Sequence, residues 1–314
     1  MVQIEHKKKS INTIEEAVRD FLAQSKSKIK ESTFSRYSFI CERHIIPYFE
    51  GIALDTLNSE SIHRFTQNKL SCGGLMGKPL SPKSINDITC LLLQIIRNYC
   101  KTDIDIDKIT HRQSEISVFT ELEYSKLKSY LFVGLDNRKI GIIIAMLMGL
   151  RIGEICALQW KNIDLDKRTI TVDKTIQRIR ATADTEESKT KIIIDTPKSN
   201  AGARVIPIPE ILLCKLEELK SKGNTYLLTN TADYIEPRIY QRYYKKYLEL
   251  CAIKYKCFHT LRHTFATMAI SKGMDIKTLS VFLGHTDISF TMKRYIHPNM
   301  EHKRNQIEKL AMGF

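Results

Sequence analysis

The spacing of apolar side chains changes over one segment of this chain, and that change limits the folds the chain can adopt. Over most of the sequence they recur three or four residues apart, as Ile14, Ala17, Val18 and Phe21 do, which is typical of amphipathic helices. Between residues 168 and 208 the period shifts towards two, which predicts three β-strands, at 169–172, 191–194 and 204–208. We therefore predict a mainly α protein with a small antiparallel β-sheet.

The same pattern predicts two domains. A chain of 314 residues has room for two units that each bury their own core. The first hundred residues read as four short helices, and the last of them begins at Ser81 and Pro82, an N-cap followed by proline in the first turn. A polar stretch follows, after which Thr120 and Glu123 form the capping box of a new helix. We expect a helical domain at 1–104, a linker at 105–117 and a second domain at 118–314.

The net charge of +14, from 49 basic and 35 acidic residues, indicates a polyanionic partner. Nucleic acid is the commonest such partner, and an excess this large goes beyond what solubility requires. A predicted helix at 237–250 interleaves basic residues with tyrosines, which fits a helix lying along DNA. Tyrosines packed inward beneath solvent-facing charges fit the pattern equally well. The candidate phosphate contacts are Lys83, Arg36, Arg43, Arg242 and Lys245.

Cysteine usage and targeting signals indicate a cytoplasmic protein. The chain has eight cysteines and no Cys-x-x-Cys pair, which is typical of reduced thiols. Cys251, Cys257, His259 and His263 lie close together in sequence, but the gap between the two cysteines is longer than in zinc fingers, so we expect no metal. No signal peptide follows the basic start, and the most apolar run, 140–150, is too short to cross a bilayer.

The second half of the chain carries an unusual set of reactive side chains, namely Arg151, His259, Arg262, His285 and Tyr295. Guanidinium groups can grip a phosphate with paired, permanently charged donors. A tyrosine oxygen can attack phosphorus, and imidazoles can move or hold protons. The set therefore predicts an enzyme that cuts DNA without a metal or another cofactor.

Local spacing indicates how these residues are presented. His259 and Arg262 are three apart, so a helix starting there would carry both on one face. Gly284 is a natural C-terminal stop for a short helix and lets the chain turn at His285. Tyr295 shares a predicted helix face with apolar residues, which fits a buried nucleophile and also fits an ordinary core tyrosine.

Taken in order, these elements resemble the active-site set of the tyrosine recombinase or phage integrase family. The resemblance rests on Gly149-Leu-Arg151-x-Gly-Glu154, Pro197-Lys198, His259-x-x-Arg262, Leu283-Gly284-His285 and Tyr295. Thr196-Pro-Lys198-Ser with Arg204-x-Ile-Pro is similar to the mobile-element integrases of that family. The resemblance implies a helical-bundle core-binding domain of the SAM-like type followed by a tyrosine recombinase catalytic domain.

The resemblance also implies a role for each matched residue. Arg151 and Arg262 would bind the non-bridging oxygens of the scissile phosphate, and His285 would donate a hydrogen bond to it. Glu154 would orient the pocket. His263, on the Arg262 helix, is expected to pack behind the site.

Bond making and breaking would fall to three other residues. Tyr295 would attack to leave a 3′-phosphotyrosyl bond and a free 5′-hydroxyl, with His259 as its base. Lys198 would protonate the leaving 5′-oxygen, although Lys189 and Lys191 lie close by in sequence. Arg151 has a second interpretation, since an arginine near a helix end can simply satisfy terminal carbonyls.

Partners follow from the resemblance. It implies double-stranded DNA recombination sites, a homotetramer that exchanges strands through a Holliday junction, and an excisionase or other accessory protein. A tail helix at 299–310 could dock on a neighbouring protomer or fold back on its own domain. Because the helical domain starts near residue 10, we expect the compact layout of simple element-borne integrases or of chromosome-dimer-resolving recombinases. A type IB topoisomerase and a non-catalytic DNA-binding regulator are the alternatives from other classes.

Overall fold

A computed structural model describes residues 11–100, 104, 106–110, 117–182, 189–196, 202–220 and 225–284, except the side chain of Leu75, together with single positions at 289, 292, 304, 307, 308 and 311. Lys198, His285, Tyr295 and most of the predicted linker and tail helix lie outside the described residues. The chain divides into two compact units. The first is Met1–Ser114 with Ile179–Lys191, and the second is Glu115–Arg178 with Ile192–Phe314.

Four α-helices build the first unit: α1 (Ile14–Ser25), α2 (Glu31–Ile40), α3 (Ser59–Cys72) and α4 (Pro82–Tyr99). The helix predicted over 33–44 is α2 continued by a π-helical turn, Cys41–Ile45. Ser81 caps α4 by accepting a hydrogen bond from the Ser84 backbone, with Pro82 in the first turn, as predicted. One apolar core joins these helices and includes the rings of Phe49 and Phe65, whose centroids are 5.1 Å apart with the planes tilted by 41°.

Seven α-helices lie in the described part of the second unit. They are α5 (Glu121–Phe132), α6 (Asn137–Met148), α7 (Ile152–Ala157), α8 (Glu210–Leu219), α9 (Pro237–Leu250), α10 (His259–Ser271) and α11 (Ile276–Leu283). Eight of the twelve residues of α6 are buried, because beyond its first turn the helix is apolar on all sides and forms the centre of the core. Thr120 and Glu123 form the predicted capping box of α5.

A three-stranded antiparallel sheet in order β1-β2-β5 flanks this core, formed by β1 (Ile163–Asp164), β2 (Thr169–Val172) and β5 (Arg204–Pro207). A separate pair joins β3 (Thr175–Arg180) to β4 (Thr190–Asp195). The strands predicted at 169–172, 191–194 and 204–208 are present, whereas β1 and β3 were not predicted. The prediction of a mainly α protein with small sheets is confirmed. None of the described helices is both long and apolar enough to cross a membrane.

Candidate active site

The predicted phosphate-binding residue Arg151 stands at a tight corner between two helices. Helix α6 ends at Gly149 in the left-handed conformation, with φ 68°, and Arg151 is already the N-cap of α7. A side chain on residue 149 would meet the Phe265 ring, because an added Cβ would lie 2.5 Å from its Cδ1. The corner therefore requires glycine and fixes where the Arg151 side chain starts.

Arg151 bonds to Glu154 and not to a helix carbonyl within the described residues. Its Nη1 donates to Glu154 Oε1 at 2.8 Å, and its backbone N–H donates to Glu154 Oε2 at 2.9 Å. The Arg151 side chain is 38% exposed, whereas that of Glu154 is 4% exposed. Glu154 thus holds one edge of the guanidinium while the remainder can meet a ligand.

A second arginine completes the environment of Glu154. Arg204 on β5 donates from Nη1 to Oε1 at 3.1 Å and from Nη2 to Oε2 at 2.9 Å. Burial raises the pKa of Glu154, but the hydrogen bonds and charge of Arg204, with the charge of Arg151, outweigh it and bring the pKa to about 2. Glu154 is therefore an anion at any physiological pH, held between two cations.

Arg204 was not among the predicted site residues. Besides Glu154, it bonds to the end of α11, where its Nε donates to the Phe282 carbonyl at 2.8 Å, and to the Gly202 carbonyl at 3.0 Å. One signal in the sequence could have found it. Inward and outward residues alternate along β5, and Arg204 occupies an inward position like Ile206, where a charge needs buried partners.

Arg262, on α10, is almost fully buried, with 1% of its surface exposed. Its Nη1 donates to the Gly149 carbonyl at 2.9 Å and its Nη2 to the Leu283 carbonyl at 2.5 Å. These carbonyls lie at the C-terminal ends of α6 and α11, where the negative ends of two helix dipoles favour a cation. Arg262 therefore joins the corner before Arg151 to the turn before His285.

The two histidines of α10 occupy different environments. The helix begins at His259, as predicted, and His259 is exposed while His263 is half-buried. Their rings meet edge to face, with centroids 4.6 Å apart and an interplanar angle of 90°. His259 and Arg151 line one open cavity of about 390 Å³, together with Thr175, Arg178 and Arg238.

Three of the predicted site residues remain predictions. Lys198, His285 and Tyr295 lie outside the described residues. Gly284, which precedes His285, ends α11 in the left-handed conformation with φ 62°, as predicted. Of the neighbouring lysines, Lys191 forms an ion pair with Glu31 at 2.8 Å.

The candidate DNA contacts differ in their surroundings. Lys83 and Arg43 are exposed and have no ion-pair partner among the described residues, and Arg242 is exposed on α9. Arg36 pairs with Asp87 at 2.7 Å, and Lys245 with Glu249 at 3.7 Å. On α9, the buried tyrosines support the interpretation of inward packing beneath exposed basic residues; they are Tyr240, Tyr244 and Tyr247.

Two further ion pairs near the site were also not predicted. Arg178 binds Glu236 through two bonds, of 2.6 and 2.7 Å, on the wall of the cavity. Lys256 binds Glu123 at 2.7 Å just before α10. Across the described part of the chain, no cluster of three or more His, Cys, Asp or Glu side chains could hold a metal ion.

Comparison with known proteins places the chain in a family. The family model for the phage integrase family matches residues 117–302, and that for the phage integrase N-terminal SAM-like domain matches residues 13–71. A tyrosine recombinase XerC-like protein of Caldanaerobacter subterraneus subsp. tengcongensis is 28% identical, with 90% of this chain and 78% of that protein covered. The ICEBs1 integrase of Bacillus subtilis is 24% identical, with 92% and 80% covered.

The fold is also similar to a solved structure. The Tn1549 transposon integrase, in complex with transposon right end DNA, matches with a TM-score of 0.75 and 22% identity, covering 95% of this chain and 99% of that one. The family match alone spans more than half of the 314 residues, from 117 to 302. The chain belongs to the phage integrase family, the tyrosine recombinases.

Proposed function

We propose that this protein is the integrase of a mobile DNA element, which cuts and rejoins double-stranded DNA through a covalent link to Tyr295. One observation carries the proposal: Arg262 bonds to the Gly149 carbonyl, two residues before Arg151, and Arg151 lines the same cavity as His259. Buried partners fix both guanidinium groups before any ligand arrives. A preorganised pair of cations is what a phosphoryl transfer without metal requires.

The reaction is a transesterification in which each proton has a carrier. Tyr295 Oη forms a bond to phosphorus while the bond from phosphorus to the 5′-oxygen breaks. His259 accepts the tyrosine proton, and Lys198 donates a proton to the leaving oxygen. The incoming 5′-hydroxyl of another strand reverses these steps, so the phosphodiester is restored without an external energy source.

Charge on the phosphate is handled by the other predicted residues. Arg151 and Arg262 bind the non-bridging oxygens and stabilise the charge that develops there, and His285 adds a hydrogen bond. Glu154 takes no proton at physiological pH, since its pKa is about 2, so its part is to hold Arg151. His263 supports the His259 ring from behind.

The two domains divide the work. We assign DNA core-site binding to residues 1–104, with Lys83, Arg36 and Arg43 as phosphate contacts, and catalysis to 118–314, with Arg242 and Lys245 on the DNA-facing side of α9. Four protomers act on two paired sites through a Holliday junction in the cytoplasm, with an excisionase or another accessory protein setting direction. The names of two relatives, an ICEBs1 integrase and a Tn1549 transposon integrase, support the mobile-element role.

Resolution of chromosome dimers is the second candidate, because one relative is a tyrosine recombinase XerC-like protein. Covalent capture separates the two roles. Sheared genomic DNA from the source organism is incubated with the protein in EDTA and denatured, and the DNA attached to protein is sequenced. Ends of an integrated element are expected; one chromosomal site outside any element would establish dimer resolution.

The nucleophile is tested on a nicked duplex built from the captured site, which traps the covalent complex by releasing the short strand. The wild type should form a complex that resists boiling in detergent, and Tyr295→Phe should form none. A complex that persists in Tyr295→Phe would move the nucleophile, for example to Tyr255, which is 47% exposed. No complex with the wild type would overturn the proposed function.

A further inference from the structure

Arg204 joins segments that carry different parts of the predicted site. Its guanidinium touches both oxygens of Glu154, which holds Arg151, and the carbonyl of Phe282 at the end of α11. The next carbonyl along, that of Leu283, accepts from Arg262. Arg204 is thus a second direct link, beside Arg262, between the Arg151 side of the site and the C-terminal end of α11.

Stability alone does not account for such an arrangement. The side chains of Arg204 and Glu154 are 3% and 4% exposed, so both ions have lost nearly all their water. Replacing a buried ion pair by apolar residues of similar volume is often neutral or stabilising. Unlike an apolar pair, the ion pair fixes the orientation of the groups that it connects. The planar guanidinium group can bind the carboxylate and the two carbonyls in only one arrangement.

We propose that Arg204 is a positioning residue that sets the separation between Arg151 and Arg262 around the scissile phosphate. Its Nη edge holds Glu154 and so the Arg151 guanidinium, and its Nε holds the end of α11 beside the Leu283 carbonyl. The inference rests on the proposed function. It assigns Arg204 no contact with DNA, and it predicts an effect on the cleavage step without an effect on DNA binding.

The test uses Arg204→Lys, which keeps the charge but cannot bind the carboxylate and both carbonyls through one planar group. Covalent complex formation is measured with a nicked duplex of the captured site in saturating excess over the protein. Under these conditions the rate constant does not depend on how much of the protein is folded, and lost folding lowers only the amplitude. We expect the rate constant to fall about 100-fold, as for a small misplacement of reacting groups, with the DNA dissociation constant within about threefold.

Two controls make the result specific. Arg168→Lys changes an exposed arginine that lies in the turn before β2 and pairs with Glu210, and it should keep the wild-type rate constant. A duplex with sulfur in place of the bridging 5′-oxygen has a leaving group that needs no acid. It should leave the Arg204→Lys defect in place, because the defect lies in the grip on the phosphate and not in protonation by Lys198.

The outcomes distinguish a failure of the positioning role of Arg204 from a failure of the proposed function. If the wild type forms no covalent complex, the proposed function fails. If the wild type reacts and Arg204→Lys reacts at the same rate constant, only the positioning role fails. A variant that loses amplitude while keeping the rate constant shows a structural role and also overturns the proposal, as does recovery of the wild-type rate on the sulfur substrate.

Discussion

The ion pairs of the two units differ in how deeply they are buried. In the first unit, Arg19 pairs with Glu15 and Arg64 with Glu60, four residues apart on one helix, and both arginines are more than 60% exposed. In the second unit, Arg204 pairs with Glu154, 50 residues away, and both side chains are less than 5% exposed. Arg36 and Asp87 also link separate helices of the first unit, but both are exposed, whereas Arg204 and Glu154 link distant segments while almost fully buried.

This difference indicates two uses of charge. Exposed pairs contribute little to stability because water and salt screen them, so the arginines of the first unit remain available to a polyanion. Its core relies on apolar contacts and on rings such as Phe49 and Phe65. In the second unit, buried charges hold the backbone around the candidate site, and the cost of their burial is offset only when every partner is present.

The largest expected effect comes from removing the most buried arginine. Arg262→Ala leaves the carbonyls of Gly149 and Leu283 without their donor, and each unsatisfied group costs about 1–3 kcal/mol. We expect the second unit to lose about 3 kcal/mol of unfolding free energy and the covalent complex to disappear. Urea unfolding followed by the fluorescence of Trp160, the single tryptophan, reports on this unit because that side chain is buried in its core.

The matched control for Arg262 is Lys272→Ala, an exposed lysine at the end of the same helix. We expect it to change the unfolding free energy by less than about 0.5 kcal/mol. If the two variants were equally stable, the hydrogen bonds of Arg262 to the two carbonyls would not stabilise the second unit. The idea that buried charges hold the backbone of this unit would then be contradicted.

A smaller, pH-dependent effect is expected for Glu154→Gln. The pKa of Glu154 is depressed to about 2 from a reference value of 4.5, so its stabilising contribution is present above pH 4.5 and is lost as the pH falls towards 2. The neutral glutamine lacks this contribution at every pH. The difference in urea midpoint between wild type and variant should therefore be greatest near neutrality and shrink steadily between pH 4.5 and 2.

Trp160 fluorescence is used to follow the urea unfolding of both proteins between neutral pH and pH 2. Because other carboxylates also titrate there, only the difference between the two proteins is informative, and a matched change in both would cancel. If the difference in urea midpoint between wild type and Glu154→Gln stayed constant down to pH 2, Arg204 and Arg151 would not hold Glu154 ionised. The buried pair would then be no different from the surface pairs of the first unit.

Local sequence signals were sufficient for much of the fold and failed where tertiary contacts decide. Caps such as Ser81 before Pro82, and Gly284 at the end of α11, depend on neighbouring residues and were predicted. Strand β3 was missed because its buried residues, Ile176 and Ile179, are three apart and break the alternation expected of a strand.

The candidate site shows the same division. The motif around Arg151 and Glu154 is local, and its internal hydrogen bonds follow from the N-terminal turn of α7. Arg204 bonds to partners 50 and 78 residues away, and the periodicity of a sequence does not predict contacts between such distant residues. Only the charge at an inward strand position indicated it, and identifying its partners required the fold.

The smallest effects should come from the exposed arginines of the first unit, and they test its use of charge. Arg43→Ala removes an exposed cation without an ion-pair partner among the described residues, whereas Arg64→Ala removes one paired with Glu60. Both should change stability by less than about 1 kcal/mol. If Arg43 contacts a phosphate, its loss should reduce the magnitude of one slope by about 1. This is the slope of the logarithm of the DNA association constant against the logarithm of the salt concentration.

DNA-binding titrations at several salt concentrations measure that slope, and circular dichroism melts measure stability. Both variants lower the net charge by one, so a long-range field alone would affect them equally. A slope reduced in Arg43→Ala and unchanged in Arg64→Ala would locate a phosphate contact in the π-helical turn. Equal slopes would mean that the first unit attracts DNA through its overall charge, and that Arg43 holds no particular phosphate.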